Sequence, residues 1–213
     1  MTTLSAGALP PAVLMRGIDK RFGAVQANRA VDLSVPKGTI HGIVGENGAG
    51  KSTLMSILYG FYQADGGEIE IDGQPARISG SREAIALGIG MVHQHFMLVD
   101  TLSALDNVML GAEPGWRLQA ARAQVRTRLL ALMQETGLHV DLEAHVQDLP
   151  VGQRQRLEIL KALYRGARIL ILDEPTAVLT DEEANRLLGT MRVLASQGAA
   201  IVLVTHKLRD VLD

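Results

Sequence analysis

The stretch Gly45-Glu46-Asn47-Gly48-Ala49-Gly50-Lys51-Ser52 constrains this chain more than any other. It fits the pattern G-x-x-x-x-G-K-[ST], a phosphate-binding loop. The residues before it, Thr39-Ile40-His41-Gly42-Ile43-Val44, are β-branched and mostly apolar, as a buried strand is. The residues after it, Thr53-Leu54-Met55-Ser56-Ile57-Leu58, open a helix. Glycines let the backbone wrap closely around an anion. Successive N–H groups and the helix N-terminus then point at phosphate oxygens. In such a loop Lys51 reaches the β- and γ-phosphates and Ser52 binds Mg²⁺. The bland alternative is a glycine-rich turn before a helix, with Lys51 merely exposed.

The whole chain bounds the reading. Its 213 residues suffice for one domain with a real core, taken as residues 1–213. Hydrophobic residues make up 47% and charged ones 21%, the balance of a soluble globular protein. Aromatics are only 3%, which argues against base stacking along a nucleic acid strand. The net charge of −2 argues against a strongly basic surface, so no nucleic-acid partner is expected. There is no cysteine, which excludes disulfides and thiolate metal sites. No apolar run is long enough to span a bilayer. The first residues lack a basic region and are broken by Pro10-Pro11, so they are not read as a signal peptide.

Taken in order, Val13-Leu14-Met15-Arg16-Gly17-Ile18 and Ala30-Val31-Asp32-Leu33-Ser34-Val35 read as strands of an antiparallel sheet, with a turn at Arg21-Phe22-Gly23. Phe22 could pack on that sheet or stack on an adenine ring. Glycine-bounded alternation predicts a half-exposed strand over residues 66–73, and Ser81 a capped short helix. Ile89-Gly90-Met91-Val92 reads as a buried strand ending in His93-Gln94-His95. These histidines lack an apparent third metal ligand, so a metal site there is not expected.

From about residue 98 to 165 the pattern becomes helical. Leu105, Val108, Met109 and Leu110 have helical spacing, and Gly111-Ala112-Glu113-Pro114-Gly115 breaks the chain. From Trp116 onward, Leu118, Val125, Leu129, Leu130 and Met133 trace an amphipathic helix, with arginines on a solvated face and Gly137 as its C-cap. Leu149-Pro150-Val151-Gly152-Gln153 leads into a further helix. Ile169-Leu170-Ile171-Leu172 is wholly apolar, as a parallel strand buried on both faces is, and it ends in Asp173-Glu174. Thr180 begins another helix, and residues 199–204 form a last strand ending in Thr205-His206. This alternation predicts an α/β fold: a mostly parallel P-loop NTPase core, an N-terminal antiparallel β-subdomain and an inserted helical subdomain.

The phosphate loop, Gln94, Asp173-Glu174 and His206 all fall at carboxyl ends of strands, where such sheets bind ligands. Nucleotide hydrolysis asks for this set. Lys51 and Mg²⁺ neutralise phosphate charge. Asp173 can hold the metal. Glu174 can polarise the attacking water, with His206 or Gln94 near the γ-phosphate.

On these motifs the chain resembles the ATP-binding cassette (ABC) family over nearly its whole length. Residues 45–53, from Gly45 through Lys51, Ser52 and Thr53, look like its Walker A, and 169–176 like its Walker B. Gln94 matches its Q-loop and His206 its H-loop. Phe22 falls where the family places an aromatic ring against adenine. The resemblance therefore implies ATP and Mg²⁺ as cofactors. Gly45, Glu46, Asn47, Gly48, Ala49, Gly50, Lys51, Ser52 and Thr53 would bind nucleotide, Ser52, Gln94 and Asp173 the metal, and Glu174, His206, Gln94 and Lys51 would serve catalysis. Leu149, Pro150, Val151, Gly152 and Gln153 occupy the signature, which acts on the nucleotide of a second cassette.

The sequence is more similar still to the first cassette of tandem-cassette importers of simple sugars and nucleosides. Leu58-Tyr59-Gly60-Phe61-Tyr62, the run from Arg156 to Ala167 and Thr176-Ala177-Val178-Leu179-Thr180 carry that likeness. It implies transmembrane permease subunits, a second ABC cassette and, indirectly, an extracytoplasmic solute-binding protein as partners, at the cytoplasmic face of the cell membrane. Pro150 and Val151 depart from the usual Ser and Gly of the signature, and proline offers neither hydroxyl nor N–H. Residues 177–180 lack the acid usual there. The chain ends soon after His206, which reads as a C-terminal truncation. Two rival readings stay open: a cassette with little hydrolysis of its own, and a soluble non-transport ABC ATPase.

Overall fold

The computed structural model describes residues 10–110 and 118–207. Strands β1 (Val13–Phe22) and β2 (Val25–Val35) form an antiparallel hairpin. The turn is only Gly23-Ala24, with Gly23 at φ 57°, so Phe22 pairs with Val25. Strand pairing thus runs through the expected turn at Arg21 and Phe22, because a two-residue loop closes on the glycine alone. After β3 (Ile40–Val44) and helix α1 (Lys51–Leu58), β4 (Gly66–Ile71) returns antiparallel to β1, and the short β5 (Gln74–Pro75) pairs with β4.

Helix α2 (Ser81–Ala86) follows, then β6 (Ile89–Val92). Ser81 is not the cap of α2. Gly80 holds that place with extended backbone and makes no side-chain bond. The chain then turns helical: α3 (Ala104–Met109), α4 (Leu118–Thr136), a 3₁₀ turn (Val146–Asp148) and α5 (Val151–Tyr164). It re-enters the sheet at β7 (Ile169–Asp173), leaves through α6 (Asp181–Ser196) and ends at β8 (Ala200–Thr205). Strands β3, β8, β7 and β6 form a wholly parallel sheet in that order.

The central strands are buried on both faces, and their side chains divide by alternation. Ile169, Ile171, Val202 and Val204 join the core shared with α1 and the antiparallel sheet. Leu170, Leu172, Ile201 and Leu203 join the core shared with α3, α4, α5 and α6. The parallel sheet is thus the partition between two cores, which is why its strands read as unbroken apolar runs.

In α4 the buried stripe is Val125, Leu129, Leu132 and Met133, while Leu130 is exposed. The helical period puts the residue after Leu129 about 100° round the axis, away from the core. Gly137 closes α4 at φ 72°, as expected for its C-cap. Arg122 pairs with Asp106 and Glu143, and Arg126 with Glu143, so these arginines are engaged by acids of this same segment. The expected break at Gly111-Ala112-Glu113-Pro114-Gly115 and helix start at Trp116 lie outside the described residues.

Candidate functional site

The parallel register builds the site. Val44 pairs with Thr205, and Asp173 with Val204, at the carboxyl ends of β3, β8 and β7. The next residues in each chain segment are the phosphate loop, His206 and Glu174. Beyond Val92 at the end of β6 comes Gln94. One sheet edge therefore gathers every strand-end residue singled out in the sequence.

The loop is seated on β2. Gly50 lies at φ 80°, and a Cβ there would stand 2.2 Å from the Ala27 carbonyl oxygen. Only glycine fits such an approach. The buried Asn28 donates through Nδ2 to the Gly50 carbonyl at 3.2 Å, tying loop to strand. Lys51 folds back into the loop, its Nζ donating to the carbonyls of Gly45 at 2.7 Å and Glu46 at 2.8 Å. The ammonium thus sits at the loop's mouth, where phosphate oxygens could replace or join those carbonyls.

Ser52 Oγ donates to Asp173 Oδ1 at 3.2 Å. Burial pushes the Asp173 carboxyl above the usual carboxylate range, the Ser52 bond pulls it back, and the neighbouring Glu174 charge adds to the rise. A buried carboxylate beside a hydroxyl is a hard-oxygen pair suited to a small divalent cation, whose charge would offset that cost. Among the described residues no group of three or more His, Cys, Asp or Glu gathers. A cation here would therefore draw further ligands from phosphate and water.

Glu174 follows β7 in the left-handed region, φ 48°, and its N–H donates to Val204 O at 2.9 Å. A non-glycine residue held there is strained, of the kind concentrated at functional sites. The turn aims the carboxylate at Gln94, whose Nε2 lies 3.4 Å from Glu174 Oε2. His206 Nδ1 lies 3.1 Å from Glu174 Oε1. Phe22, Asn47, Gly48, Ala49, Gly50, Lys51, Ser52, Thr53, Gln94 and Glu174 all line one open cavity of about 450 Å³. Phe22 is 42% exposed, so although it ends β1 it lies outside the buried core of the sheet.

Val25, Gln26 and Ala27 also line this cavity and were not singled out from sequence. Nothing local marks them; they reach the site because β2 crosses beneath the loop. None of Leu149, Pro150, Val151, Gly152 and Gln153 lines the cavity. Pro150 is the N-cap of α5 and makes no side-chain cap bond. Gly152 is buried against α6, where an added Cβ would stand 2.6 Å from Glu183 Oε1. Glu183 itself forms a capping box with Thr180 at the start of α6. His93 is half-buried beside Tyr59 and Phe61, and burial holds its imidazole below the ordinary value.

Comparison with known proteins agrees with this geometry. The family model described as ABC transporter matches residues 28–177. The nucleoside import ATP-binding protein NupA of Lactococcus lactis is 47% identical over 93% of this chain and 39% of its own length. The ribose import ATP-binding protein RbsA 1 of Burkholderia thailandensis is 49% identical over 93% of this chain and 40% of its own. This chain therefore spans about two fifths of the curated relatives it matches. A bacterial ABC transporter cassette solved as a dimer superposes with TM-score 0.77 and 25% identity, over 93% of this chain and 89% of that one. Sequence, fold and strand-edge geometry converge, and the chain belongs to the ABC transporter family of ATP-binding cassettes.

Proposed function

We propose that this chain is the ATP-hydrolysing cassette of an importer, residues 1–213 forming one nucleotide-binding domain with a helical subdomain over about 98–165. The observation that carries the reading is the convergence of Gln94 and His206 on Glu174 beside the Ser52–Asp173 pair. The loop amides, Lys51 and Thr53 hold the phosphates. Ser52, Asp173 and Gln94 would hold Mg²⁺, which would supply charge neutralisation when bound. Glu174 accepts the proton of a water whose oxygen bonds the γ-phosphorus as the bridging P–O bond to ADP breaks. His206 contacts the γ-phosphate and steadies Glu174.

The likeness to NupA and RbsA 1 supports import of a nucleoside or simple sugar through permease subunits, with a solute-binding protein outside. The resemblance of residues 58–62 and 176–180 to the first cassette of tandem-cassette importers favours that place for this chain. No helix among the described residues is long and apolar enough to cross a membrane, which suits a peripheral subunit on the cytoplasmic face. The signature, absent from its own cavity, suits an ATP sandwich with a second cassette. The test is turnover and binding of Mg²⁺-ATP by the chain and its Lys51→Ala variant. Binding and turnover lost together in the variant support the reading. ATP binding that survives Lys51→Ala unchanged overturns it.

A second reading, binding with little hydrolysis, is favoured by Pro150 at the head of α5. Parent protein paired with its partner cassette and still without turnover would establish it.

A further inference from the structure

The chain has only three phenylalanines, three tyrosines and one tryptophan, yet two of these rings meet where neither is buried. Phe22 at the end of β1 is 42% exposed and Tyr62, beyond α1, is 44% exposed. Their centroids are 5.0 Å apart and their planes cross at 72°, an edge-to-face contact. Such a pair gains little from burial here, so its consequence is geometric: it fixes one ring against the other. Phe22 lines the phosphate-loop cavity; Tyr62 does not.

The contact is latched on both sides. Asp65 accepts from Lys20 Nζ at 2.8 Å and from the Arg21 N–H at 2.7 Å, while its own N–H donates to Asp19 O at 2.8 Å. Lys20 Nζ in turn lies 5.5 Å from the Phe22 ring centre. On the other side, the N–H groups of Phe61 and Tyr62 donate to Ser56 O at 2.8 and 3.3 Å. Ser56 belongs to α1, whose first residues are Lys51 and Ser52. One short helix thus carries phosphate-binding groups at its start and anchors Tyr62 beyond its end.

We propose that Tyr62 is a positioning residue for the nucleotide base: it holds the Phe22 ring at a fixed angle and distance from the phosphate loop. The inference rests on Phe22 being the base platform. Tyr62 does not touch the base, and its phenol oxygen is not required.

The test compares affinity for Mg²⁺-ATP with affinity for Mg²⁺-tripolyphosphate, which has no base. It uses the full chain, Phe22→Ala, Tyr62→Ala, Tyr62→Phe and the Phe22→Ala/Tyr62→Ala double variant. Tyr62→Ala is expected to raise the Kd for ATP about two- to tenfold, the range of an aromatic pair, and to leave tripolyphosphate unchanged. Tyr62→Phe restores parental affinity. In the Phe22→Ala background, Tyr62→Ala costs nothing further. A cost that persists in that background shows that Tyr62 acts by another route and overturns the inference. Phe22→Ala weakening ATP while Tyr62→Ala does not overturns the inference alone. Phe22→Ala without effect on ATP overturns the base platform and the inference with it. Equal weakening of tripolyphosphate by Tyr62→Ala marks a general structural defect and also overturns it.

Discussion

The imidazole of His206 and the amide of Gln94 meet on one carboxylate: His206 Nδ1 is 3.1 Å from Glu174 Oε1, and Gln94 Nε2 is 3.4 Å from Glu174 Oε2. These residues come from the ends of three different strands. Glu174 is aimed by a left-handed backbone turn, so its direction is set by the chain and then locked by both partners.

That geometry makes Glu174→Gln informative. The amide keeps the shape and can still bond its neighbours, but it cannot take a proton. ATP affinity should stay near the parent value while turnover in the assembled transporter falls by at least about 10²-fold, the scale of a lost general base. Single-turnover hydrolysis and equilibrium ATP binding check this together. Equal turnover in variant and parent would remove Glu174 from the role.

Gly50→Ala tests how the loop is seated. The new methyl would stand 2.2 Å from the Ala27 carbonyl oxygen, closer than any real contact, and φ 80° is unfavourable for alanine. Strain of roughly 1–3 kcal/mol is expected, with a melting temperature lower by about 2–12 °C for a chain of this size. ATP binding should be lost even at temperatures where circular dichroism shows the variant folded. Retained binding would mean that the loop does not need its close approach to β2.

Much of this site is legible in the sequence because its physics is local. A glycine pattern reports backbone wrapped around an anion, and Ile169-Leu170-Ile171-Leu172 reports a strand covered on both faces. Strand order and parallel register then carry Asp173, Glu174, Gln94 and His206 to one edge. What the sequence hides is non-local. Asn28 looks like any strand residue until β2 passes under Gly50, and Val25, Gln26 and Ala27 join the cavity by the same crossing. Leu130 shows a different limit: adjacent leucines at 129 and 130 leave the phase of α4 undecided until it packs. The residue chemistry of Phe22 leaves sheet packing and base stacking both open; the family resemblance favours stacking, and its exposure agrees with a place outside the sheet core.

Asp72 should make stability depend on pH. It sits at φ 53° in the tight turn between β4 and β5, bonded to Lys37 Nζ at 2.8 Å and Arg168 at 2.9 Å. The Lys37 bond holds its carboxyl below the usual range; partial burial opposes this and the Arg168 charge reinforces it. A depressed folded pKa gives stability that is present above the unfolded value of about 3.9 and lost as pH falls through the folded value. The partners Lys37 and Arg168 are exposed and their charges screened, so about 0.5–1 kcal/mol is at stake. Asp72→Asn, which keeps the left-handed turn, should melt about 1–4 °C lower at pH 7. The two melting curves should converge in acid, below the folded pKa. A constant gap at all pH values would assign the loss to packing instead.

Pro150→Ser separates stability from function at the signature. Serine at the N-cap of α5 can accept from an unbonded N–H of the first turn, worth about 0.5–1 kcal/mol. Losing proline's rigidity costs the unfolded-state advantage of about 0.4–1 kcal/mol, so the melting temperature should barely move. Pro150 and Val151 are both exposed, so a hydroxyl at position 150 would be open to a second cassette's nucleotide. A hydrogen bond to that γ-phosphate, at about 0.5–1.5 kcal/mol, predicts roughly two- to tenfold faster turnover at the composite site. The measurement is the ATPase rate at saturating ATP in the assembled pair, with ATP-dependent dimerisation read alongside. An unchanged rate would mean that Pro150 does not limit the composite site.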